Sequence, residues 1–327
     1  MDSLRSLGES GIIRIMERAL GSSQRDAIGF GDDVSAVRLT NNLLAVFKTD
    51  MLVGSTDVPP GMTMRQTARK AVIANVSDFA AKGVRPYAGL VALGLPANMT
   101  TKDVQEVARG LSRGAKEYHF PLLGGDTNES KDLVISISLL GLTPRRKLIL
   151  RSGAKIGDIV AVTGDFGSTS AGLRALIDEK IRPERLPRDL AKAVYHSDAE
   201  LDVGLKLAAT GAITSSIDSS DGLAWSLHEI SKMSRIGIIL SSVPISKAAQ
   251  EFAANYGYDA VDLALYGGEE YRLIFTVKRS LLRTAQKAIG GRLRPIGVVT
   301  KRAEGVRLSE KGRDMKIEMK GWQHFRS

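Results

Sequence analysis

The chain is expected to be an α/β (α+β) protein, and three observations predict this. Runs rich in β-branched residues alternate with runs of helical period along the whole length. Glycine and proline mark the junctions between them. At 327 residues, with 43% apolar and 25% charged side chains, the composition is that of an ordinary globular chain long enough for two domains.

In chain order, helical periodicity predicts Ile12–Leu20, and β-branched alternation predicts a strand over Leu43–Thr49. A long helix over Met64–Lys82 follows; its centre, Ala71 to Ala81, is apolar on nearly every face and is expected to be buried. Then come a strand over Tyr87–Leu95, a helix over Thr101–Tyr118 and a strand over Leu133–Leu142. Thr143-Pro144-Arg145-Arg146-Lys147 breaks the pattern with a proline and a basic run, which places a domain boundary near residue 147 and divides the chain into 1–147 and 148–327. In the second part strands are expected over Ile156–Thr163, Ile236–Leu240, Tyr271–Val277 and Leu293–Val299. Helices are expected over Thr169–Ile177, Arg188–Thr210, Leu223–Ser234, Lys247–Tyr256 and Ser280–Ile289.

Bulk chemistry narrows the function. The absence of cysteine rules out disulfides, thiolate nucleophiles and thiolate metal sites, and is compatible with a reducing interior. The first ten residues lack a continuous apolar core, and no run reaches membrane-spanning length, so a cytoplasmic protein with no membrane partner is expected. The net charge of +10 is spread over both halves, and aromatics are only 5% with no basic-aromatic segment to stack bases. A diffuse positive field attracting anionic metabolites fits better than a nucleic-acid partner.

Five acidic signatures carry the chemistry: Gly31-Asp32-Asp33, Thr49-Asp50, Asn75-Val76-Ser77-Asp78, Gly124-Gly125-Asp126-Thr127 and Asp218-Ser219-Ser220-Asp221-Gly222. Hard oxygen ligands from several elements suit Mg²⁺ rather than zinc or iron, and Mg²⁺ held by carboxylates points to phosphate chemistry. Each signature also has a plain structural explanation. Buried Asp78 could be a metal ligand or half of an ion pair with Arg69 or Lys82. Asp32 and Asp33 could be a turn, Asp50 a strand cap, and Gly124-Gly125 a glycine turn or a phosphate approach. Ser220 or Asp221 is a natural N-cap for the helix beginning at Leu223, which leaves Asp218 unexplained. The glycines of Gly164–Gly172 resemble a phosphate cradle without matching a known fingerprint. The histidines His119, His196, His228 and His324 have no metal-ligand spacing.

In register, Gly-Phe-Gly-Asp-Asp (29–33), Lys-Thr-Asp-Met-Leu-Val (48–53), Asn-Val-Ser-Asp-Phe-Ala-Ala-Lys-Gly (75–83), Leu-Gly-Gly-Asp-Thr (123–127), Arg-Ser-Gly-Ala-Lys (151–155), Asp-Ser-Ser-Asp-Gly-Leu (218–223), Gly-Gly-Glu-Glu-Tyr (267–271) and Gly-Trp-Gln-His-Phe (321–325) resemble the thiamine-monophosphate kinase family. That family lies in the superfamily of aminoimidazole ribonucleotide synthetase. The resemblance implies a two-domain fold of that superfamily and a homodimer paired through the amino-terminal halves, with ATP across the groove. It implies ATP-dependent phosphorylation of thiamine monophosphate to thiamine diphosphate. Carried over by position, it implies Mg²⁺ ligands at Asp32, Thr49, Asp50, Asp78, Asp126, Asp218 and Asp221. It implies ATP contacts at Gly125, Asp126, Arg151 and Ser220, and acceptor contacts at Glu269 and Trp322. No catalytic nucleophile or base is implied, only direct transfer assisted by metal and Arg151. The chain departs from the pattern at Lys48, where many relatives have a Ser or Thr ligand, and at Asp57, where bacterial relatives have a His that contacts the substrate. Asp57 is therefore a candidate contact to the cationic acceptor or simply the start of a turn. Trp322 could stack on the acceptor ring or pack onto the core. The rival readings are aminoimidazole ribonucleotide synthetase and a basic non-catalytic nucleotide- or nucleic-acid-binding protein.

Overall fold

The computed structural model describes residues 4–21, 27–178, 181, 187–310 and 312–322. Helix α1 (Leu4–Leu20) precedes a six-stranded sheet made of β1 (Ala27–Ile28), β2 (Ser35–Arg38), β3 (Leu43–Val53), β4 (Pro86–Leu95), β5 (Leu122–Glu129) and β6 (Val134–Pro144). The strand order is β1-β2-β3-β6-β4-β5, antiparallel throughout except for the parallel pair β4 and β5. One short helix, α2 (Gly54–Asp57), follows β3.

Helix α3 (Met64–Lys82) lies against one face of this sheet, and α4 (Thr101–Glu117) packs against α3. Thr63 starts α3 with a capping box to Gln66, and Gly83 ends it in the left-handed region at φ 65. The opposite face is open and apolar: Phe47, Met51, Tyr87, Leu90, Leu123 and Leu142 are all exposed.

The second sheet comprises β7 (Ile159–Val162), β8 (Ile213–Asp218), β9 (Gly237–Leu240), β10 (Leu273–Val277), β11 (Arg294–Thr300), β12 (Val306–Glu310) and β13 (Arg313–Lys316), in the order β13-β12-β9-β11-β7-β10-β8. The helices of this half are α5 (Ser168–Ile177), α6 (Arg188–Tyr195), α7 (Leu201–Ala209), α8 (Leu223–Ser234), α9 (Lys247–Tyr256), α10 (Ala260–Tyr266) and α11 (Leu282–Ala288). No described strand crosses residue 147. Alternation along β10 explains the layering. Leu273, Phe275 and Val277 face a core shared with α3 and α7, while Ile274 faces a second core around α8. Helix α3 is therefore packed between the two sheets, which is why it is apolar on nearly every side. Among the described residues no helix is long and apolar enough to cross a membrane.

Several expectations need correction. Strand β3 continues to Val53, so Asp50 is mid-strand rather than a strand cap. Gly124, Gly125 and Asp126 lie in the edge strand β5, not in a turn. The helix expected over Arg188–Thr210 is broken between α6 and α7. There the Arg69 guanidinium donates to the Ser197 carbonyl (2.6 Å) and pairs with Asp198, and the Ala199 N–H donates to the Tyr118 hydroxyl (2.9 Å). These tertiary bonds outweigh local helix propensity. Strand β8 escapes a hydrophobicity reading because Ser215 and Ser216 are buried as hydrogen-bonded hydroxyls, Ser215 with Thr276 and Ser216 with the Ala81 carbonyl. The caps expected for α8 are also absent: Gly222 precedes it with no side-chain cap, so neither Ser220 nor Asp221 is used there.

The α3–α7 contact is close enough to be tested. A Cβ at Gly204 of α7 would lie 1.9 Å from the Ala80 carbonyl oxygen of α3. Helix propensity alone favours alanine over glycine by about 1 kcal/mol. Overpacking against backbone costs about 1–3 kcal/mol and wins here. Gly204→Ala is expected to lower the unfolding free energy by up to about 2 kcal/mol in urea titration; a more stable variant would show that the two halves separate freely at this seam.

Candidate active site

Four of the five acidic signatures converge where the two halves meet. Lys48 and Asp50 are two residues apart on β3 and share its inner face. Ser77, Asp78 and Lys82 come from the last turns of α3, Asp32 and Asp33 from the loop after β1, and Asp218 from the end of β8. Ligand oxygens of Asp33, Asp78 and Asp218, all buried, lie within 4.8 Å of one another. This is the one close group of His, Asp or Glu ligands among the described residues, and it contains Asp33, whereas the sequence pattern pointed to Asp32.

Cations hold the cluster together. The Lys82 ammonium, fully buried, lies 2.8 Å from Asp32 and 2.6 Å from Asp33 and donates to the Ser216 carbonyl at 2.7 Å. Arg151 grips Asp33 through Nε (2.7 Å) and Nη2, and its backbone N–H donates to Asp32 at 2.9 Å. It also reaches Glu229 at 3.4 Å. Lys48 Nζ lies 2.6 Å from Asp78 and 3.7 Å from Asp50. The ion pair considered for Asp78 is therefore with Lys48, while Arg69 pairs with Glu117 and Asp198. The Ser77 hydroxyl donates to Asp218 at 2.6 Å.

The carboxylates respond in opposite directions. Burial alone would raise Asp33, but Arg151 and Lys82 outweigh it and hold it at about 2. Burial raises Asp78 well above its ordinary value despite Lys48, with Asp218, Asp33 and Asp50 adding to the effect. Asp218 is raised to about 6 by burial and by Asp33, against the Ser77 hydrogen bond. Asp221 is raised to about 7 by burial, Glu9 and Asp218. At an effective dielectric of 20, each pair of charges at this spacing repels by about 3 kcal/mol. Negative charge is thus in excess at a nest of hard oxygens, a donor set that fits Mg²⁺.

A second wing adjoins the cluster. The Ser220 carbonyl accepts from the Glu269 N–H (2.6 Å), the Ser219 carbonyl from the Tyr271 N–H (2.9 Å) and the Asp221 carbonyl from the Trp322 N–H (3.1 Å). Glu269 and Tyr271 both take positive φ, 61 and 50, which is strained for non-glycine residues. Lys70 pairs with Glu269 and donates to the Asp57 carbonyl at 2.7 Å. The Asp57 carboxylate accepts from the Val53 N–H at 2.7 Å, closing its own turn. Trp322 is 55% exposed and lies beside Gly268; Gln323, His324 and Phe325 lie outside the described residues. Buried Tyr271 is pushed well above its ordinary value by burial and by Glu269, Asp50, Asp218 and Asp78, so its hydroxyl stays protonated.

Thr49 and Asp126 stand apart from this assembly within one chain. The Thr49 hydroxyl lies on the open face of the first sheet and accepts from Ser138 at 3.0 Å. Register aligns Met51, Ser136, Ala92 and Asp126 in one row, so Asp126 shares that face. Three strand spacings separate it from β3, about 14 Å. Gly125 is beside it, where a Cβ would meet the Val91 carbonyl oxygen at 1.5 Å. The glycine loop before α5 is not an empty phosphate cradle. The Glu270 carboxylate fills it, accepting from the N–H groups of Gly167 (2.7 Å) and Thr169 (3.1 Å). Two of the described histidines are engaged elsewhere: His228 Nε2 donates to the Ile317 carbonyl (2.9 Å), and His196 lies beside Gln66.

Residues 31–143 match the family described as AIR synthase related protein, N-terminal domain. The chain is 38% identical to thiamine-monophosphate kinase of Nitrosopumilus maritimus, covering 99% of this chain and 100% of that protein. It is 37% identical to the enzyme of that name from Pyrococcus abyssi, with 90% of each covered. The chain belongs to the thiamine-monophosphate kinase family. A solved structure of AaThiL complexed with AMPPCP and TMP superposes with a TM-score of 0.84 at 28% identity, over 99% of each chain. Family membership extends to the full length, so both the acid cluster and the Glu269–Trp322 wing lie within the matched region.

Among these groups, the signs of the pKa shifts define a pH window. Asp33, with a lowered pKa, stabilises the fold above about pH 4 and loses that contribution as pH falls toward 2. Asp218, Asp221 and Asp78 bind more protons folded than unfolded above about pH 4, so their contribution falls as pH rises toward 7. In EDTA the melting temperature is expected to drop between pH 5 and pH 8, and Mg²⁺ should raise it at pH 8 far more than at pH 5. A melting temperature in EDTA that climbs over this interval would contradict the charge excess.

Proposed function

We propose that the chain transfers the γ-phosphoryl group of ATP to the phosphate of thiamine monophosphate, yielding thiamine diphosphate and ADP. The observation that carries the reading is the convergence of Asp33, Asp78 and Asp218 from three segments of a chain in this family that contains no cysteine. A phosphate-monoester oxygen is already ionised near neutral pH, so no strong base is needed. That oxygen bonds to the γ-phosphorus as the bond to the bridging oxygen breaks, and the electron pair leaves with ADP. The barrier to lower is repulsion between two anions.

Asp32, Asp50, Asp78, Asp218 and Asp221, with Asp33 added by geometry, would hold Mg²⁺, which when bound supplies charge neutralisation for both substrates. Arg151 and Ser220 line the ATP side. Glu269 and Trp322 line the acceptor side, where Lys70 fixes the Glu269 carboxylate and Asp57 shapes the adjoining turn. We further propose a homodimer, supported by the apolar open face of the first sheet. Pairing through that face would bring Thr49, Gly125 and Asp126 to the seam between two copies. In this reading residues 1–147 form the pairing and ATP/Mg²⁺ domain, residues 148–327 complete the nucleotide and acceptor sites, and the enzyme works in the cytoplasm.

ADP release should require Mg²⁺ and thiamine monophosphate; thiamine and formylglycinamidine ribotide should not replace it. Asp78→Asn should lower kcat at least 100-fold without loss of the folded state by circular dichroism, since removing one charge contact costs several kcal/mol in the transition state. Near-normal turnover of that variant, or release driven equally by the other acceptors, would sink the assignment.

A further inference from the structure

Lys48 is the one residue of the cluster whose chemistry does not match the role its position suggests. It projects from β3 on the same face as Asp50, and its ammonium lies 2.6 Å from Asp78 Oδ2 and 3.7 Å from Asp50 Oδ2. The side chain is 18% exposed, so the charge is largely withdrawn from water. An ammonium has three donors and no acceptor and cannot ligate a metal. A divalent ion bridging these two oxygens would have to lie within about 2.1 Å of each, next to a positive charge already held there. The positions are mutually exclusive. By contrast, of the Asp33–Asp78–Asp218 set Lys48 makes an ion pair with Asp78 alone and acts on Asp33 and Asp218 only through longer-range charge.

We propose that Lys48 is a resident cation that takes the place of one divalent ion between Asp50 and Asp78, leaving the Asp33, Asp78 and Asp218 oxygens for metal. This rests on the reading that the cluster serves Mg²⁺-dependent phosphoryl transfer. It assigns this chain a lower metal requirement than the same site with a hydroxyl at position 48. A tethered ammonium also supplies one positive charge to the phosphates with no dependence on free Mg²⁺.

The test counts ions rather than turnover. Full-length protein is titrated with Mn²⁺ in the presence of AMPPCP, and bound Mn²⁺ per chain is obtained from the electron paramagnetic resonance signal of the free ion. Lys48→Thr is expected to bind one Mn²⁺ more than the wild type, and Lys48→Arg the same number as the wild type. Equal counts in the wild type and Lys48→Thr overturn the proposal, and so does an extra ion in Lys48→Arg. An anomalous-scattering map of wild-type crystals with Mn²⁺ and AMPPCP needs no variant to fold. It should show no ion between Asp50 and Asp78, and a peak bridging them, with Lys48 displaced, overturns the proposal. Thiamine monophosphate turnover on the same wild-type preparation tests the kinase reading separately.

Discussion

The Lys82 ammonium, out of contact with water, is the point on which both halves of the molecule depend. A buried charge is costly unless its hydrogen bonds are satisfied, and here Asp32, Asp33 and the Ser216 carbonyl satisfy it from two segments of the chain. Those bonds set where α3 ends relative to β8 and where the loop after β1 must lie. The rest of the site is built outward from that point. Arg151 closes over Asp33 from the far side, Ser77 and Asp78 occupy the turn of α3 just before Lys82, and Asp218 ends β8 two residues after Ser216.

Cations contributed by the chain do not cancel the acids. Lys48, Lys82 and Arg151 face Asp32, Asp33, Asp50, Asp78, Asp218, Asp221 and Glu229, and the opposite pKa shifts of Asp33 and Asp218 record where compensation is complete and where it is not. Asp33 is matched by two cations and is locked in its ionised form. Asp78 and Asp218 are the under-compensated members, which is the state expected of groups meant to receive further positive charge. Strained backbone adjoins the cluster as well, in the left-handed Glu269 and Tyr271, whose N–H groups bond the Ser220 and Ser219 carbonyls. A loop held this tightly by backbone hydrogen bonds presents its side chains in fixed positions before any ligand arrives.

What could be read from sequence was what depends on local pattern. The ends of α3, α8 and α9, the burial of Asp78 and the acid signatures all follow from period and composition. Choosing between Asp32 and Asp33 did not, because adjacent acids in a loop differ only in which one the fold turns toward Lys82. Strand β5 was hidden by its paired glycines, and β8 by serines whose partners lie on β10 and α3. The resemblance marks Lys48 as a departure at a ligand position, but its partner Asp78, thirty residues later, is brought to it only by the fold. The glycine loop before α5 resembled a phosphate cradle because the carboxylate that fills it, Glu270, is about a hundred residues away. The side on which Thr49 and Asp126 lie is a matter of strand register, fixed by pairings among β3, β6, β4 and β5.

If the buried Lys82–Asp33 pair is the anchor on which the site is built, its partners cannot act independently. The most direct test is a double-mutant cycle of Lys82→Met and Asp33→Asn, read by urea unfolding at neutral pH. Removing Lys82 leaves Asp33 with Arg151 alone, and removing Asp33 leaves Lys82 with Asp32 and the Ser216 carbonyl, so each single change strips part of the other's compensation and a coupling energy of about 1 kcal/mol or more is predicted. Additivity within about 0.5 kcal/mol would contradict the account.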